Sequence, residues 1–393
     1  MTTSFADRLR SLRISTGMTL EGLAASSGVS IRAISDLERG RSARPHPRTL
    51  EALTKGMDLD EEERAWLWAA LLEGAGRPDQ GIPPARATSL VGRSEEIAKL
   101  ARLLQGDEPS TAVISGLPGV GKSALAVEAT ATVLPDGHRV FVGLADFDDS
   151  PEALFAILRI ALSQCVNTIP WTPSSAMDSW VRWCADHPTV VHLEDVSAEA
   201  QLRVIDAAEP RAVIATTRRR FIGAETSRVV LQPLPESESA RQLRMTAPAG
   251  SVGDEELAEL ARLCAGLPLA LRIVADRLLA YPQMNAEDLL VRLRPETGRL
   301  AALVAGDLSV SSSINRSYRL LDEQERKAFR AIGRESSASF NAADVAVTSG
   351  LAEIETVGIL DRLADLGMIE PLHDVRYRTH ELVRLFAAQI SEH

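Results

Sequence analysis

Eight consecutive residues in this chain have the spacing of a phosphate-binding loop. The segment GLPGVGKS at 116–123 fits the pattern G-x-x-x-x-G-K-[ST] in full. Its glycines allow backbone N–H groups to turn toward phosphate oxygens, and a helix that begins there adds positive potential. Lys122 would reach the β- and γ-phosphates, and Ser123 would bind Mg²⁺. The motif therefore predicts a nucleotide-binding set of Gly116, Gly119, Val120, Gly121, Lys122, Ser123 and Ala124.

Charged side chains at the ends of two later apolar runs could complete such a site. The run VVHLED ends in Glu194 and Asp195, which could hold Mg²⁺ or orient an attacking water, or form a solvated strand end. The run AVIATT is followed by Arg218, which could sense a γ-phosphate or lie at the surface as one of three consecutive arginines. We predict Lys122, Glu194 and Asp195 as catalytic residues. We predict Ser123, Glu194 and Asp195 as metal ligands.

A second set of residues, near the N-terminus, has the pattern of a DNA-binding helix pair. Thr19 and Ser30 are good caps for helices over 20–26 and 31–39, and Gly28 supplies a tight turn between them. In such a helix-turn-helix the second helix enters a DNA groove. A helical bundle that contacts only protein is the alternative.

The distribution of charge favours nucleic acid as the partner of this N-terminal unit. The chain of 393 residues has a net charge of −11, yet residues 1–50 carry eight arginines and four acids, a net charge of +4. Arg32, Ala33 and Asp36 would lie on the outward face of the second helix, within reach of base edges. The arginines that follow suit phosphate contacts: Arg39, Arg41, Arg44 and Arg48.

The remaining pattern indicates several domains. One more helix is predicted over 59–73, and a Gly- and Pro-rich linker over 74–89. Strands then alternate with helices up to about residue 232, which predicts parallel pairing in a three-layer α/β fold. The predicted strands are 111–116, 138–144, 189–195 and 211–217. The predicted helices between them include 122–133, 151–165 and 198–208. Helical patterns follow to about residue 390, with a short strand pair near 369–379.

Several classes of protein are disfavoured by composition. No apolar run approaches a membrane span and the N-terminus lacks a signal-peptide core, so we expect a cytoplasmic protein without a membrane partner. Cys165, Cys184 and Cys264 lie far apart without C-x-x-C spacing. Buried thiols are therefore favoured over a zinc site or a disulfide framework.

Residues 9–53 resemble the Cro/repressor-like (XRE) helix-turn-helix family. The resemblance implies base readers on the second helix, with Ile31 able to touch a thymine methyl group. Leu20 departs from the family, which often has a phosphate-contacting Gln there, and Gly22 weakens its helix by roughly 1 kcal/mol relative to Ala. The predicted DNA-binding residues are Ser30, Ile31, Arg32, Ala33, Asp36, Arg39, Arg41 and Arg44.

Roughly residues 90–390 resemble the NB-ARC branch of the signal-transduction NTPases (the STAND class). The agreeing segments are, in order, VGR at 91–93, the phosphate-binding loop, VVHLED, ATTR, GLPLA at 266–270 and THE at 379–381. The resemblance implies that Val91 and Arg93 lie near the adenine and ribose, and that Pro268 packs against the base. It further implies that Arg218 is the sensor after the fourth strand, and that His380 contacts the β-phosphate of ADP and stabilises a closed form.

The resemblance also implies the domain organisation. It predicts an all-α XRE-type helix-turn-helix domain at 1–73, a linker at 74–89, an α/β P-loop NTPase domain with a parallel sheet at 90–235, a helical subdomain at 236–306 and a winged-helix subdomain at 307–393. Two segments depart from the family. Glu194 stands where an aspartate is usual, so hydrolysis is expected to be slow or altered. Thr379 and Glu381 flank His380 where Met and Asp are usual.

The function implied by the resemblance is a transcription regulator that binds double-stranded DNA and is switched by ATP and ADP with Mg²⁺. Hydrolysis would act as a timer, and the ATP state would form a homo-oligomer, which raises weak DNA affinity. The family usually carries a C-terminal sensor of repeats, so either the chain is a piece of a longer protein or a protein partner or the nucleotide ratio supplies the signal. The alternatives are a signalling or immunity scaffold whose N-terminal helices bind protein, and an ATPase whose product flux matters.

Overall fold

The structure is a computed structural model that describes residues 5–41, 45, 47–60, 63–64, 67, 90–104, 108–133, 138–145, 147–167, 169–170, 172–219, 226–247, 252–281, 283, 285–335, 337 and 339–390. The predicted linker and most of the predicted helix over 59–73 lie outside these residues. No helix within the described ranges is long and apolar enough to cross a lipid bilayer.

The N-terminal unit is a cluster of short helices around Leu9, Leu23 and Ile34, which are fully buried. Its second and third helices begin where the sequence predicts, because the Thr19 and Ser30 side chains accept hydrogen bonds from backbone N–H groups of their first turns. The helices are α1 (Phe5–Ser15), α2 (Leu20–Ser27), α3 (Ile31–Glu38) and α4 (Pro47–Gly56).

A parallel five-stranded sheet forms the centre of the described part of the chain after residue 90. Its strands are β1 (Ser110–Gly116), β2 (His138–Gly143), β3 (Thr189–Val196), β4 (Ala212–Thr217) and β5 (Ser227–Leu231), in the order β2-β3-β4-β1-β5. The four predicted strands are confirmed to within a residue at each end. The fifth, β5, is an edge strand that the sequence analysis missed.

Helices cover both faces of this sheet, which confirms the three-layer α/β arrangement. Ile114 and Ile214 pack into one apolar core, whereas Val113 and Val213 of the same strands pack into another. The helices of this unit are α5 (Ser94–Leu104), α6 (Lys122–Val133), α7 (Pro151–Ser163), α8 (Pro173–Asp186) and α9 (Glu199–Asp206). The sequence analysis did not predict α8, whose buried Trp180 donates a hydrogen bond from Nε1 to the Ile205 carbonyl at 3.0 Å.

The following residues form a helical group that ends in a two-stranded hairpin. Its elements are α10 (Glu236–Thr246), α11 (Asp254–Leu263), α12 (Pro268–Ala280), α13 (Ala286–Leu293), α14 (Glu296–Ala302), β6 (Val304–Ala305) and β7 (Leu308–Ser309). α10, α11 and α12 pack on one another, and their apolar side chains join the core of one sheet face. This group therefore lies directly against the unit that contains the five-stranded sheet.

The last group, called the winged-helix group, combines helices with a small antiparallel sheet, as a winged helix does. Its elements are α15 (Val310–Tyr318), α16 (Glu323–Arg334), β8 (Ser339–Phe340), α17 (Ala342–Ser349), α18 (Glu353–Asp365), β9 (Ile369–Pro371), β10 (Tyr377–Thr379) and α19 (Glu381–Gln389). The strand pair predicted near 369–379 is β9 and β10, and β8 joins it in the order β8-β10-β9. The numbered domain boundaries stay predictions.

Candidate functional site

The segment between β1 and α6 is a glycine-rich loop that lines a cavity. Gly116, Gly119 and Gly121 have φ angles of +146°, +80° and +97°, which side-chain-bearing residues rarely adopt. A Cβ atom at Gly116 would lie 2.6 Å from the Leu231 carbonyl oxygen. α6 begins at Lys122, so the first residues of the helix line the same cavity. Such a loop and helix end are suited to bind phosphate.

Lys122 lies inside this loop, with its ammonium group turned back onto the loop carbonyls. Nζ donates to the Gly116 and Leu117 oxygens at 2.9 and 3.0 Å. Burial and the nearby positive charge of Arg218 lower the pKa of Lys122 to about 8. A phosphate in the loop would therefore compete with two carbonyls for this ammonium group, and it would favour the charged form.

The two acids at the end of β3 have different partners. The Ser123 hydroxyl donates a hydrogen bond to Glu194, which brings together two of the predicted metal ligands. Asp195 accepts two hydrogen bonds from Arg218, at 3.0 and 2.9 Å. Burial raises the pKa of Glu194 despite the Ser123 hydrogen bond. Burial would also raise the pKa of Asp195, but the Arg218 hydrogen bonds and charge bring it below its ordinary value.

This chemistry suits a hard cation held between protein oxygens and phosphates. Among the described residues there is no cluster of three or more His, Cys, Asp or Glu side chains that would hold a metal alone. Mg²⁺ is usually bound by one or two carboxylates together with substrate phosphates. Ser123 and Glu194 fit that mode, whereas Asp195 is engaged by Arg218.

A cavity of about 380 Å³ opens over the loop. Val91, Arg93 and Pro268 line it, as does Arg218, together with the loop residues. The Leu269 N–H donates to the Gly119 oxygen at 3.1 Å, so α12 is fixed directly on the loop. Residues that the sequence analysis did not assign to the site also line the cavity, most of them from distant segments: Leu90, Pro118, Leu234, Gln242, Leu269, Arg272, Leu308, Ser313 and Arg316.

Arg93 has a structural role that its position in the sequence does not reveal. Its buried guanidinium donates to the Gln232 carbonyl at 2.7 Å and to Glu96 at 2.9 Å. It thereby ties the start of α5 to the segment after β5. Its contact with a ribose stays a prediction.

His380 lies beside the loop, on the wall of a neighbouring cavity of about 270 Å³. Its Nδ1 accepts a hydrogen bond from the Leu382 N–H, so the proton is on Nε2, which donates to the Ala265 carbonyl at 2.8 Å. Burial lowers the pKa of His380, which favours the neutral ring. Gly116 and Leu117 line the same cavity. The predicted contact with a β-phosphate stays a prediction.

The predicted DNA-binding face is on α3. The Arg32 side chain is 95% exposed, and Ile31 and Arg39 are also exposed. Asp36 lies between two arginines, with closest atoms 4.0 Å from Arg32 and 3.9 Å from Arg41. The structure brings these residues to one surface with Ala33, while the Ser30 hydroxyl caps the helix. Arg44 lies outside the described residues.

Comparison with known proteins agrees with this geometry. Residues 4–67 match the helix-turn-helix domain family. The regulatory protein AfsR of Streptomyces griseus is 29% identical over 322 residues, which are 79% of this chain and 33% of that protein. The AfsR protein of Streptomyces coelicolor is 27% identical over 331 residues, again 79% and 33%. The chain therefore spans about a third of the length of these relatives.

Among solved structures, the Walker-type ATPase of Pyrococcus abyssi is similar to this chain, with a TM-score of 0.55 and 14% identity. The match covers 78% of this chain and 98% of that structure. At this identity the match shows the fold. The predicted fold class and the predicted resemblance, a helix-turn-helix joined to a P-loop NTPase unit, are confirmed.

Proposed function

We propose that the chain is a DNA-binding transcription regulator whose P-loop unit binds ATP or ADP and controls DNA binding. One observation supports this proposal above all others. The same chain contains α3, on which Arg32 is exposed, and a glycine loop that holds Lys122. The relatives named as regulatory proteins support it. Residues 1–73 would form the DNA-binding unit, and 90–235, 236–306 and 307–393 the switch.

The residues of the loop fit a nucleotide with Mg²⁺. Bound Mg²⁺ would neutralise charge on the phosphates. Ser123 and Glu194, already hydrogen-bonded, would hold that ion, while the ammonium of Lys122 would leave the loop carbonyls for phosphate oxygens. Val91 and Pro268 provide apolar walls where the cavity would receive the base. Hydrolysis supported by these groups would be slow and act as a timer.

Control of DNA binding requires that ATP and ADP bind two conformations with different affinities. The helical group and α15 both line the nucleotide cavity, so a change in the bound phosphates can alter how they pack. Homo-oligomers in the ATP state would raise DNA affinity through effective concentration. A protein partner could supply the signal by favouring one conformation.

Nucleotide binding should take up a proton at alkaline pH. The pKa of Lys122 is about 8 without a bound phosphate, and an anion beside the ammonium will raise it. Below pH 8 the amine already carries its proton. Above pH 8 binding must restore it, so affinity falls as pH rises, by at most about tenfold per pH unit. We expect uptake of about 0.9 proton at pH 9 and about 0.1 at pH 7, from calorimetry in buffers of different ionisation enthalpy.

A Lys122→Arg variant is the control for this measurement, because a guanidinium stays protonated over the whole range. If it binds nucleotide, its proton uptake should be near zero at both pH values. Equal uptake by the wild type at pH 7 and pH 9 would show that Lys122 does not titrate on binding.

The DNA half of the proposal is tested by comparing Arg32→Ala with Arg39→Ala on duplexes selected from a random pool. We expect Arg32→Ala to weaken binding of the selected sequence by about 5- to 150-fold and to relax the preference at one base pair. Arg39→Ala should weaken the binding of all sequences alike. It should also reduce the slope of log K against log salt concentration by about one.

If the wild type binds DNA but enriches no sequence from the random pool, its binding is explained by attraction to the phosphates alone. No DNA binding in any nucleotide state, with assembly still nucleotide-dependent, would favour the protein-binding scaffold instead. Identical behaviour of the two arginine variants would contradict a reading role for α3.

A further inference from the structure

One face of α15, in the winged-helix group, lines the nucleotide cavity together with the loop. Ser313 and Arg316 line the cavity. Ser317, on the next position of the same face, accepts a hydrogen bond from Arg218 at 3.4 Å. Positions three and four apart share a helix face, so these contacts define the orientation of α15 over the site.

Arg316 differs from Arg218 in its partners. Arg218 is held by Asp195, whereas the guanidinium of Arg316 has no hydrogen bond or ion pair within the described part of the chain. Arg316 is exposed, yet it lines the cavity. An arginine fork left without a partner at a phosphate-binding site is suited to bind an oxyanion through two hydrogen bonds.

The contacts of α15 indicate which part of the cavity Arg316 lines. Its neighbour Ser317 accepts the hydrogen bond from Arg218, and Arg218 donates two hydrogen bonds to Asp195 at the end of β3. Glu194 and Asp195 line the same cavity as Arg316, and Glu194 accepts a hydrogen bond from Ser123. These contacts place α15 beside the end of the cavity where Ser123 and the strand ends meet.

We propose that Arg316 binds the terminal phosphate of a nucleoside triphosphate and so makes the affinity of the chain depend on the number of phosphates. A nucleoside diphosphate has no group at that position. Because Arg316 is on α15, the contact ties the winged-helix group to the triphosphate state. His380 lines the neighbouring cavity and not this one, so the two residues would respond to different phosphates. This inference rests on the proposed nucleotide binding.

The test is calorimetric titration of the full chain with Mg-ADP and with a Mg-bound non-hydrolysable ATP analogue. The variants are Arg316→Ala, Arg316→Lys and the control Arg319→Ala, which removes an exposed arginine from the end of the same helix. We expect Arg316→Ala to raise the Kd of the analogue by about 10- to 100-fold and to change that of ADP by less than about twofold. Arg316→Lys should lose less affinity for the analogue than Arg316→Ala does. Arg319→Ala should bind both nucleotides with the Kd values of the wild type.

Retained ADP binding shows that each variant is folded. An unchanged Kd of the analogue in Arg316→Ala, or equal losses for ADP and the analogue, would overturn the inference while nucleotide binding by the wild type stands. A wild type that binds neither nucleotide would instead overturn the proposed function on which the inference rests.

Discussion

Replacing Arg218 with alanine is expected to lower the free energy of unfolding at pH 7 by about 3 kcal/mol. The variant leaves the carboxylate of Asp195 without the two hydrogen bonds that compensate its burial. Breaking a buried ion pair is costly mainly because one charge stays behind unpaired. The expected loss is at the lower end of the range for buried pairs, because the side chains of Arg218 and Asp195 are still 15% and 19% exposed.

The dependence of this loss on pH identifies its cause. In the wild type the folded pKa of Asp195 is below its ordinary value, so the contribution of the pair is present above about pH 4 and is lost as pH falls through the folded pKa. In Arg218→Ala burial would raise that pKa, and the folded variant would gain a proton as pH falls from 7 to 4. The difference between wild type and variant should therefore narrow over this interval.

Urea denaturation at pH 7 and pH 4 measures both effects. The control is Arg219→Ala, the exposed neighbouring residue, which should change the free energy of unfolding by no more than about 0.5 kcal/mol. A loss of the same size in both variants, or a difference that is constant between the two pH values, would contradict the role assigned to the Asp195 pair.

Gly333→Ala is expected to lower the stability of the winged-helix group by about 2–3 kcal/mol, although alanine normally favours a helix. A Cβ atom at Gly333 would lie 2.3 Å from the Ala388 nitrogen and 2.5 Å from the Ala387 carbonyl carbon. α16 and α19 are thus in backbone contact, and the variant must move them apart. α19 starts directly after His380, and its Glu381 pairs with the buried Arg299. The displacement would reach the edge of the nucleotide site.

Denaturant titration of Gly333→Ala beside Gly358→Ala tests this packing. Gly358 is also in a helix of the same group, but a Cβ atom there would have no neighbour within 4 Å. Alanine at Gly358 should raise stability by up to about 1 kcal/mol. A gain in stability in both variants would show that α16 and α19 do not pack this closely.

The parts of the site that the sequence predicts are those fixed by local geometry and by parallel pairing. The glycines at 116–121 and Lys122 lie within a single turn between a strand and a helix, so their placement depends on local geometry. Glu194 reaches Ser123 because the carboxyl ends of parallel strands meet at one edge of a sheet. The caps at Thr19 and Ser30 are similarly local, so the helix starts of the N-terminal unit follow from the chain itself.

The parts that could not be predicted depend on packing between distant segments. Arg316 lines a cavity whose loop lies almost two hundred positions earlier, and only the placement of α15 brings them together. The partners of Arg93 and the position of His380 likewise depend on how the groups pack. β5 was missed because it is a five-residue edge strand with mixed burial, which leaves no long apolar run.

Control of DNA affinity by the bound nucleotide is tested most directly by one measurement. The Kd of the full chain for its selected duplex is measured at one salt concentration, with saturating ADP and then with saturating non-hydrolysable ATP analogue. We expect the two Kd values to differ by at least about fivefold, the lower end of typical coupling between sites. Equal Kd values, with both nucleotides shown to be bound, would contradict nucleotide control of DNA binding.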